Sequence, residues 1–286
     1  MLVSALLGNP TDHSFSPKLF TIYAKALGDK EYSHVKFNIL PEDLEGALRS
    51  LHILGFCGAN ITLPYKMDVM PFLDYISEDA LSAGAVNTIK VDGKTLRGFN
   101  TDVYGAMETI RQELGHSVTS TDNILIFGTG GAARALASGF LSAKCQVTVI
   151  FRDPGSPKTK SFTATFGKKL LMQNYEDLRS AKLKQYTIIC NATNLGMTPN
   201  VDSSPLDLIE GNSTATVKFN HCLFFDVVFN PQKTKFMGQG ENLGAKIVGG
   251  TNMMIYQGVI AFKLWTGCDV TPELLLEAKS LLQKYI

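Results

Sequence analysis

The sequence predicts an α/β protein of two domains, with a mostly parallel, helix-flanked sheet in the first domain and a second α/β unit after it. Three observations carry this. Short β-like runs alternate with helical stretches through the first hundred residues, the alternation restarts from Asn123, and two long helices close the chain. At 286 residues there is room for two domains of about 100–200 residues each.

Taken in order, Val3–Leu7 and Ser33–Ile39 read as strands. Pro17–Leu27 and Pro41–Leu54 read as helices, their apolar residues recurring every three or four positions. Ala59–Thr62 and Thr88–Val91 are further strands. The second unit opens with the strand Ile124–Phe127, the helix Ala132–Ser142 and the strand Gln146–Ile150. Tyr186–Asn191 and Phe224–Val228 are later strands, each running into a polar loop. Asp153–Pro157 is an exposed turn, Lys158–Lys169 is the most charged stretch of this unit, and Val201–Asn220 reads as a polar surface connection carrying a short helix. Gly249-Gly250 opens a long helix through Trp265. The last helix, Thr271–Lys284, has Thr271 as N-cap and Pro272 at its first position.

Hydrophobic residues make up 45% and charged residues 19%, an ordinary globular balance, and the formal net charge is +1. Nucleic acid is therefore not the expected partner, since such proteins usually present a basic face. The apolar runs Ile188–Cys190 and Leu223–Phe225 are far shorter than the ~20 residues a bilayer requires, so no membrane role is expected. The apolar start Met1–Leu7 lacks a basic flank and runs into Gly8-Asn9-Pro10, which fits a buried first strand better than a signal peptide. Cys57, Cys145, Cys190, Cys222 and Cys268 are scattered and form no Cys-x-x-Cys, as expected of reduced thiols in a cytoplasmic protein. The histidines show no metal-ligand spacing, and no metal is expected.

Gly128-Thr129-Gly130-Gly131-Ala132-Ala133 fits the pattern G-x-G-x-x-A between a strand and a helix, as a Rossmann-type dinucleotide-binding domain requires. The first glycine permits a tight turn. The second lets a pyrophosphate approach free backbone amides at a helix N-terminus. The next strand ends at Phe151-Arg152-Asp153, where the adenosine ribose is expected. Arg152 favours the 2′-phosphate of NADP, whereas Asp153 favours the free 2′-hydroxyl of NAD; the reading leans to NADP and keeps NAD possible.

Lys66 closes the stretch Gly58–Lys66, and Asp102 closes Gly98–Asp102. The plain readings are a surface lysine on the first turn of a helix and a helix N-cap before Val103–Leu114. Against them stand the ligand-competent neighbours Asn60, Thr62, Asn100 and Thr101, with Asn87 in Gly84–Thr88. A lysine to move a proton and a carboxylate to keep it charged, beside a hydride-carrying cofactor, is a dehydrogenase's requirement. In His13-Ser14-Phe15-Ser16-Pro17, Ser14 and Ser16 present hydroxyls together. Spacing alone leaves two roles open: Ser16 as a plain N-cap, or a cradle for a substrate carboxylate. Asn191–Met197, after a strand, is placed to lie over the cofactor.

These stretches together resemble the shikimate dehydrogenase family. The likeness runs in family order through Gly8-Asn9-Pro10, His13–Pro17, Asn60–Lys66, Gly84–Thr88, Asn100–Asp102, Gly128–Ala132, Asn191–Met197, Asp226–Pro231 with Thr234, and Gly250–Gln257 into Ala261-Phe262. It spans nearly the whole chain. The resemblance implies that Lys66 and Asp102 form the catalytic dyad, and that Ser14, Ser16, Thr62, Asn87 and Gln257 bind the substrate with Asn60 close by. It further implies that Gly128, Thr129, Gly130, Gly131 and Ala132 hold the pyrophosphate and that Phe151, Arg152 and Asp153 lie by the adenosine. Asn191, Thr193, Val227, Gly250 and Met253 would approach the rest of the cofactor.

The implied domains are 1–101 for substrate and catalysis, 102–249 for NADP, and 250–286 as helices returning to the first domain. The implied reaction is the reversible NADPH-linked reduction of 3-dehydroshikimate to shikimate on the route to aromatic amino acids, by a monomer or homodimer. Three departures from the family stand out: Phe151-Arg152-Asp153 stands where Asn-Arg-Thr is common, Phe229 replaces a tyrosine, and Asn194 a serine. They leave an NAD-preferring quinate/shikimate dehydrogenase as an alternative. A non-catalytic shikimate-binding relative is the other, against which the intact Lys66 and Asp102 weigh.

Overall fold

Apolar strand segments and amphipathic helices alternate in the computed structural model, which describes residues 1–12, 14–178, 180–209 and 218–285. His13 of the Ser14–Ser16 motif lies outside the described residues, as do residues 210–217 of the expected surface connection. The chain forms two units, Met1–Gly105 with Met254–Tyr285, and Ala106–Met253.

In the first unit β1 (Leu2–Gly8) is buried along most of its length, because β2 (Tyr32–Asn38) and β3 (Gly58–Ile61) flank it, both parallel. Beyond β3 the sheet changes character. β5 (Thr88–Asp92) pairs antiparallel to β3 and forms an antiparallel hairpin with β6 (Thr95–Phe99), and β4 (Tyr75–Ile76) pairs parallel to β6. The strand order is β2-β1-β3-β5-β6-β4. The hairpin was not expected, although Asp92-Gly93 is a common turn signal; its two-residue loop is Gly93-Lys94, with Gly93 at φ +61°.

Helix α1 (Ser16–Ala24) packs on β2. It starts at Ser16 itself, so Ser16 is not the N-cap; the Ser14 hydroxyl accepts the Ser16 N–H at 3.2 Å instead. A 3₁₀ turn at Lys25–Leu27 completes the expected helix. α2 (Leu44–Ile53) buries Leu44, Leu48 and Leu51, one stripe at helical spacing. They join Ala5, Ile61, Val86 and Ile89 in one core. α3 (Glu78–Ala83) is short and capped by Ser77. The other sheet face meets an aromatic group in which Phe20 stacks on His34 and tilts against Trp265.

α4 (Thr101–Leu114) and α8 (Thr251–Thr266) run from one unit into the other. The boundaries expected at 101/102 and 249/250 fall at the start of α4 and just before α8. The units divide a few residues later, inside those helices. α9 (Pro272–Tyr285) packs on α1, with Lys25 paired to Glu277.

The second unit is one parallel sheet. β7 (Asn123–Phe127), β8 (Gln146–Phe151), β9 (Leu171–Asn174), β10 (Ile188–Asn191), β11 (Leu223–Asp226) and β12 (Lys246–Val248) stand in the order β12-β11-β10-β7-β8-β9. Numbered from β7, this is the order 3-2-1-4-5-6 of dinucleotide-binding domains, and the crevice for a ligand opens beyond the carboxyl ends of β7 and β10, where the order reverses. α5 (Gly131–Ser142) and α6 (Pro157–Phe166) follow β7 and β8, and α7 (Lys235–Asn242) precedes β12. Apolar clusters cover both faces, one around Ile126, Leu136, Val149 and Phe225, the other around Phe127, Ile189, Phe224 and Phe236. Among the described residues no helix is long and apolar enough to cross a membrane, and no group of three His, Cys, Asp or Glu is placed to hold a metal ion.

Candidate active site

Lys66 does not sit on a helix. Residues 63–69 make a run of turns after β3. The run is nonetheless fixed: the Lys66 carbonyl accepts the Val86 N–H at 2.7 Å, and buried Tyr65 donates its hydroxyl to the Ile39 carbonyl. Lys66 thus projects from an anchored backbone, with its side chain 17% exposed.

Asp102 lies in the first turn of α4, where the helix dipole favours a carboxylate. It is not the N-cap. That task falls to Asn100, whose Oδ1 accepts the Val103 N–H at 3.2 Å while its Nδ2 donates to the Ala85 carbonyl. The Asp102 side chain is free to face Lys66, and Lys66 Nζ lies 2.5 Å from Asp102 Oδ2.

The other carboxylate oxygen is held by Asn87, whose Nδ2 donates to Asp102 Oδ1 at 2.8 Å. Asn87 precedes β5, and its Oδ1 accepts the Thr101 N–H at 2.7 Å and the Thr88 hydroxyl at 3.2 Å. Its amide therefore has one orientation that satisfies all partners. From α8, Gln257 Oε1 accepts the Thr101 hydroxyl at 3.2 Å. Asn60, on β3, donates Nδ2 to the Thr88 hydroxyl at 3.1 Å, while its buried Oδ1 has no hydrogen-bond partner among the described residues. The structure thus joins Lys66, Asp102, Asn87, Gln257 and Asn60 in one buried network. Thr88 and Thr101 link it, two residues that the sequence reading left among the neighbours; their signal was adjacency to Asn87 and Asp102 on converging strand ends.

Ser14 and Ser16 form a separate pair, their hydroxyls 3.0 Å apart at the start of α1. Thr62 follows β3, with its N–H bonded to the Leu7 carbonyl.

In the second unit Gly128 leaves β7 with φ +108°, and a Cβ there would lie 2.9 Å from the Ala192 carbonyl oxygen. That turn requires glycine. Gly130 is extended and is the N-cap of α5, and a Cβ on it would meet nothing within 4 Å. Gly131 is buried; Thr129 and Ala132 are half-buried. The Thr129 hydroxyl lies 3.3 Å from that of Thr159, which in turn meets Ser156, the N-cap of α6. This ties the glycine loop to the turn after β8.

Phe151 ends β8, and Arg152 and Asp153 follow it, both exposed. Asp153 Oδ1 accepts the Gly155 N–H at 2.7 Å and so turns into its own loop. Arg152 lies near Tyr175, a phenol whose ionisation burial opposes and the arginine charge favours. At the end of β10, Asn191 is buried, and its Oδ1 accepts both the N–H and the hydroxyl of Thr193. Val227 follows β11, and Gly250 packs so tightly on it that a Cβ would stand 2.1 Å from the Val227 carbonyl oxygen. Met253 is buried in the core of this unit. The cofactor residues named from sequence therefore stand at the carboxyl ends of β7, β8, β10 and β11 and at the start of α8.

Comparison with known proteins shows the family. The family model of the shikimate dehydrogenase substrate binding domain matches residues 6–89, and that of the shikimate 5'-dehydrogenase C-terminal domain matches residues 250–278. A shikimate dehydrogenase (NADP(+)) of Methanocaldococcus jannaschii is 36% identical over 281 residues, 96% of this chain and 95% of its own. A crystal structure of a shikimate dehydrogenase in complex with NADP+ matches with a TM-score of 0.84 at 33% identity, covering 100% of this chain and 96% of the other. The Thermus thermophilus enzyme, in complex with NADP(H) and shikimate, matches with a TM-score of 0.82 at 31% identity, over 99% of this chain and 100% of the other.

Proposed function

The chain belongs to the shikimate dehydrogenase family, and we propose that it is an NADP-dependent shikimate dehydrogenase, interconverting 3-dehydroshikimate and shikimate. The observation that carries the chemistry is the Lys66–Asp102 pair, 2.5 Å apart and largely shielded from water.

The residues of the second unit fit a dinucleotide. Gly130 leaves open the approach a pyrophosphate needs at the N-terminus of α5, and Gly128 to Ala132 would hold it there. Phe151 and Arg152 would flank the adenosine. Arg152 is exposed, while one oxygen of Asp153 already accepts the Gly155 N–H, which supports the 2′-phosphate of NADP over NAD. Asn191, Thr193, Val227, Gly250 and Met253 would line the nicotinamide half. When bound, the reduced nicotinamide supplies the hydride.

The chain's own residues supply the proton. Lys66 Nζ donates to the carbonyl oxygen of 3-dehydroshikimate during reduction and takes a proton back in oxidation. Asp102 keeps Lys66 aimed between turnovers and accepts a substrate hydroxyl. Asn87 and Gln257 hold the ring hydroxyls, with Asn60 Oδ1 as a further buried acceptor. The hydroxyls of Ser14 and Ser16, with Thr62, hold the carboxylate. The free thiols, of which Cys145, Cys190 and Cys222 are buried, accord with a cytoplasmic enzyme.

The test is steady-state oxidation of shikimate and of quinate, each with NADP+ and with NAD+. Preference for shikimate with NADP+ supports the proposal. Equal or better rates with quinate or NAD+ move it to a quinate/shikimate dehydrogenase, and binding without turnover to a non-catalytic relative.

A further inference from the structure

We infer that Asp226 is a positioning residue for the cofactor, its carboxylate locking the two strand-end loops Asn191–Gly196 and Val227–Asn230 in the shape that receives the nicotinamide half. This rests on the proposed function, and it adds a residue that contacts neither substrate nor cofactor in that proposal.

Asp226 is the last residue of β11 and faces Asn191, the last of β10, in register. It is fully buried. Its Oδ2 accepts the Thr234 hydroxyl at 2.6 Å, and its Oδ1 accepts the Val228 N–H at 2.9 Å. Asn191 Nδ2 donates to both oxygens, at 3.1 and 3.2 Å, and also to the Leu195 carbonyl at 3.0 Å. Because Asn191 Oδ1 is taken by Thr193, and the Thr193 hydroxyl accepts the Leu195 N–H at 3.1 Å, the first loop is held through Asn191. The second is held at Val228, whose carbonyl accepts the Gly250 N–H. One carboxylate therefore orders Asn191, Thr193, Val227 and Gly250.

An aspartate here is poor for stability. Its donors are all neutral, no cation lies within ion-pair distance among the described residues, and burial pushes its carboxyl up from 3.8 to about 6. Since the folded value exceeds the unfolded one, the fold is favoured by protonation, and that contribution is lost as pH rises from about 4 to about 6. Above pH 6 the ionised form persists at a cost. An ionised carboxylate alone accepts from all three donors at once; a protonated one, or an asparagine, turns a hydrogen toward one of them. The packed elements carry other titratable groups. Burial pushes the thiols of Cys190 on β10 and Cys222 beside β11 upward, Cys222 to about 12. Lys233 and Lys235, flanking Thr234, pair with Glu241 and Asp207, Lys246 of β12 is exposed, and residues 251–254 of α8 carry no charge.

The experiment compares the full-length wild type with Asp226→Asn and Thr234→Val between pH 5 and 8. It measures NADP+ affinity by calorimetry, the KM for NADP+ and for shikimate, kcat and the thermal midpoint. In D226N the KM and Kd for NADP+ rise about tenfold, more than kcat falls, with the KM for shikimate within twofold and the midpoint at pH 8 not lowered. The wild-type KM for NADP+ rises as pH drops below about 6, and D226N lacks that rise. T234V, which removes one hydroxyl, gives a smaller increase in the same constant and carries the test if D226N does not fold. Folded variants with wild-type NADP+ affinity, equal rises in both KM values, or a flat wild-type profile would overturn the inference alone. A wild type that neither binds NADP+ nor oxidises shikimate would overturn the proposed function and this inference together.

Discussion

Asn87→Asp changes one atom at the centre of the network. The Nδ2 that donates to Asp102 Oδ1 at 2.8 Å becomes an oxygen, while the Oδ1 that accepts the Thr101 N–H stays in place. A charge-assisted hydrogen bond becomes a contact between two carboxylates. At roughly 4 Å between charge centres and an effective dielectric of about 20, the repulsion is about 4 kcal/mol. Lys66 offsets one negative charge of the pair and not both. The two carboxyls then share a proton, which weakens the hold on Lys66, or both ionise and strain the fold. The proton is retained in the folded state, so destabilisation grows as pH rises. We expect kcat for shikimate oxidation at pH 8 to fall at least about a hundredfold, in line with losing one positioned donor in a dry site. The thermal midpoint should drop by roughly 10 °C at pH 8, since 4 kcal/mol corresponds to about that for a unit of this size, and by less at pH 6. The assay is kcat and thermal midpoint in parallel from pH 6 to 9. A variant with kcat within threefold of wild type across that range, or a midpoint independent of pH relative to wild type, would refute this account of the network.

Other predictions concern the fold and the cofactor. His34 is buried between Phe20 and Trp265, and burial pushes it down from 6.5 to about 3, so the unfolded chain takes its proton first and stability is lost as pH falls through that window. His34→Phe should flatten the fall of the thermal midpoint between pH 7 and 4; an unchanged slope would contradict it. Arg152→Ala should raise the KM for NADP+ about tenfold or more while barely moving that for NAD+, the loss expected for charge-assisted bonds to a phosphate; equal effects on both cofactors would argue against a 2′-phosphate contact. Gly130→Ala, whose new methyl meets open space, should keep the wild-type midpoint yet lose most NADP+ affinity. Retained affinity would move the pyrophosphate elsewhere.

Much of this was legible in the chain itself. Gly128 and Gly130 between an apolar strand and a helix marked the nucleotide unit, because a tight turn and a helix N-terminus leave few residue choices. Lys66, Asp102 and Asn87 stood out because ligand-competent residues crowd around them, Asn60 and Thr62 by the first and Asn100 and Thr101 by the second. The hairpin of β5 and β6 was missed because Leu96, Gly98 and Phe99 are interrupted by charge, and only Asp92-Gly93 announces it. Helix boundaries misled where long-range bonds decide them. Asn100 rather than Asp102 caps α4 because the Ala85 carbonyl fixes its amide, and Lys66 lies on turns because Val86 holds its carbonyl. Asp226 read as part of a family stretch, and its surroundings arise from Asn191 and Thr234, brought to it by sheet register and by the cap of α7. Such convergence has no local sequence period.

The proton-transferring role of Lys66 is the claim on which the rest depends. The direct measurement is kcat and KM for Lys66→Ala in shikimate oxidation, with NADP+ affinity measured on the same preparation. The account predicts a kcat lower by about a hundredfold to ten-thousandfold, a KM for shikimate that changes far less, and unaltered NADP+ binding. A kcat equal to that of the wild type would contradict it.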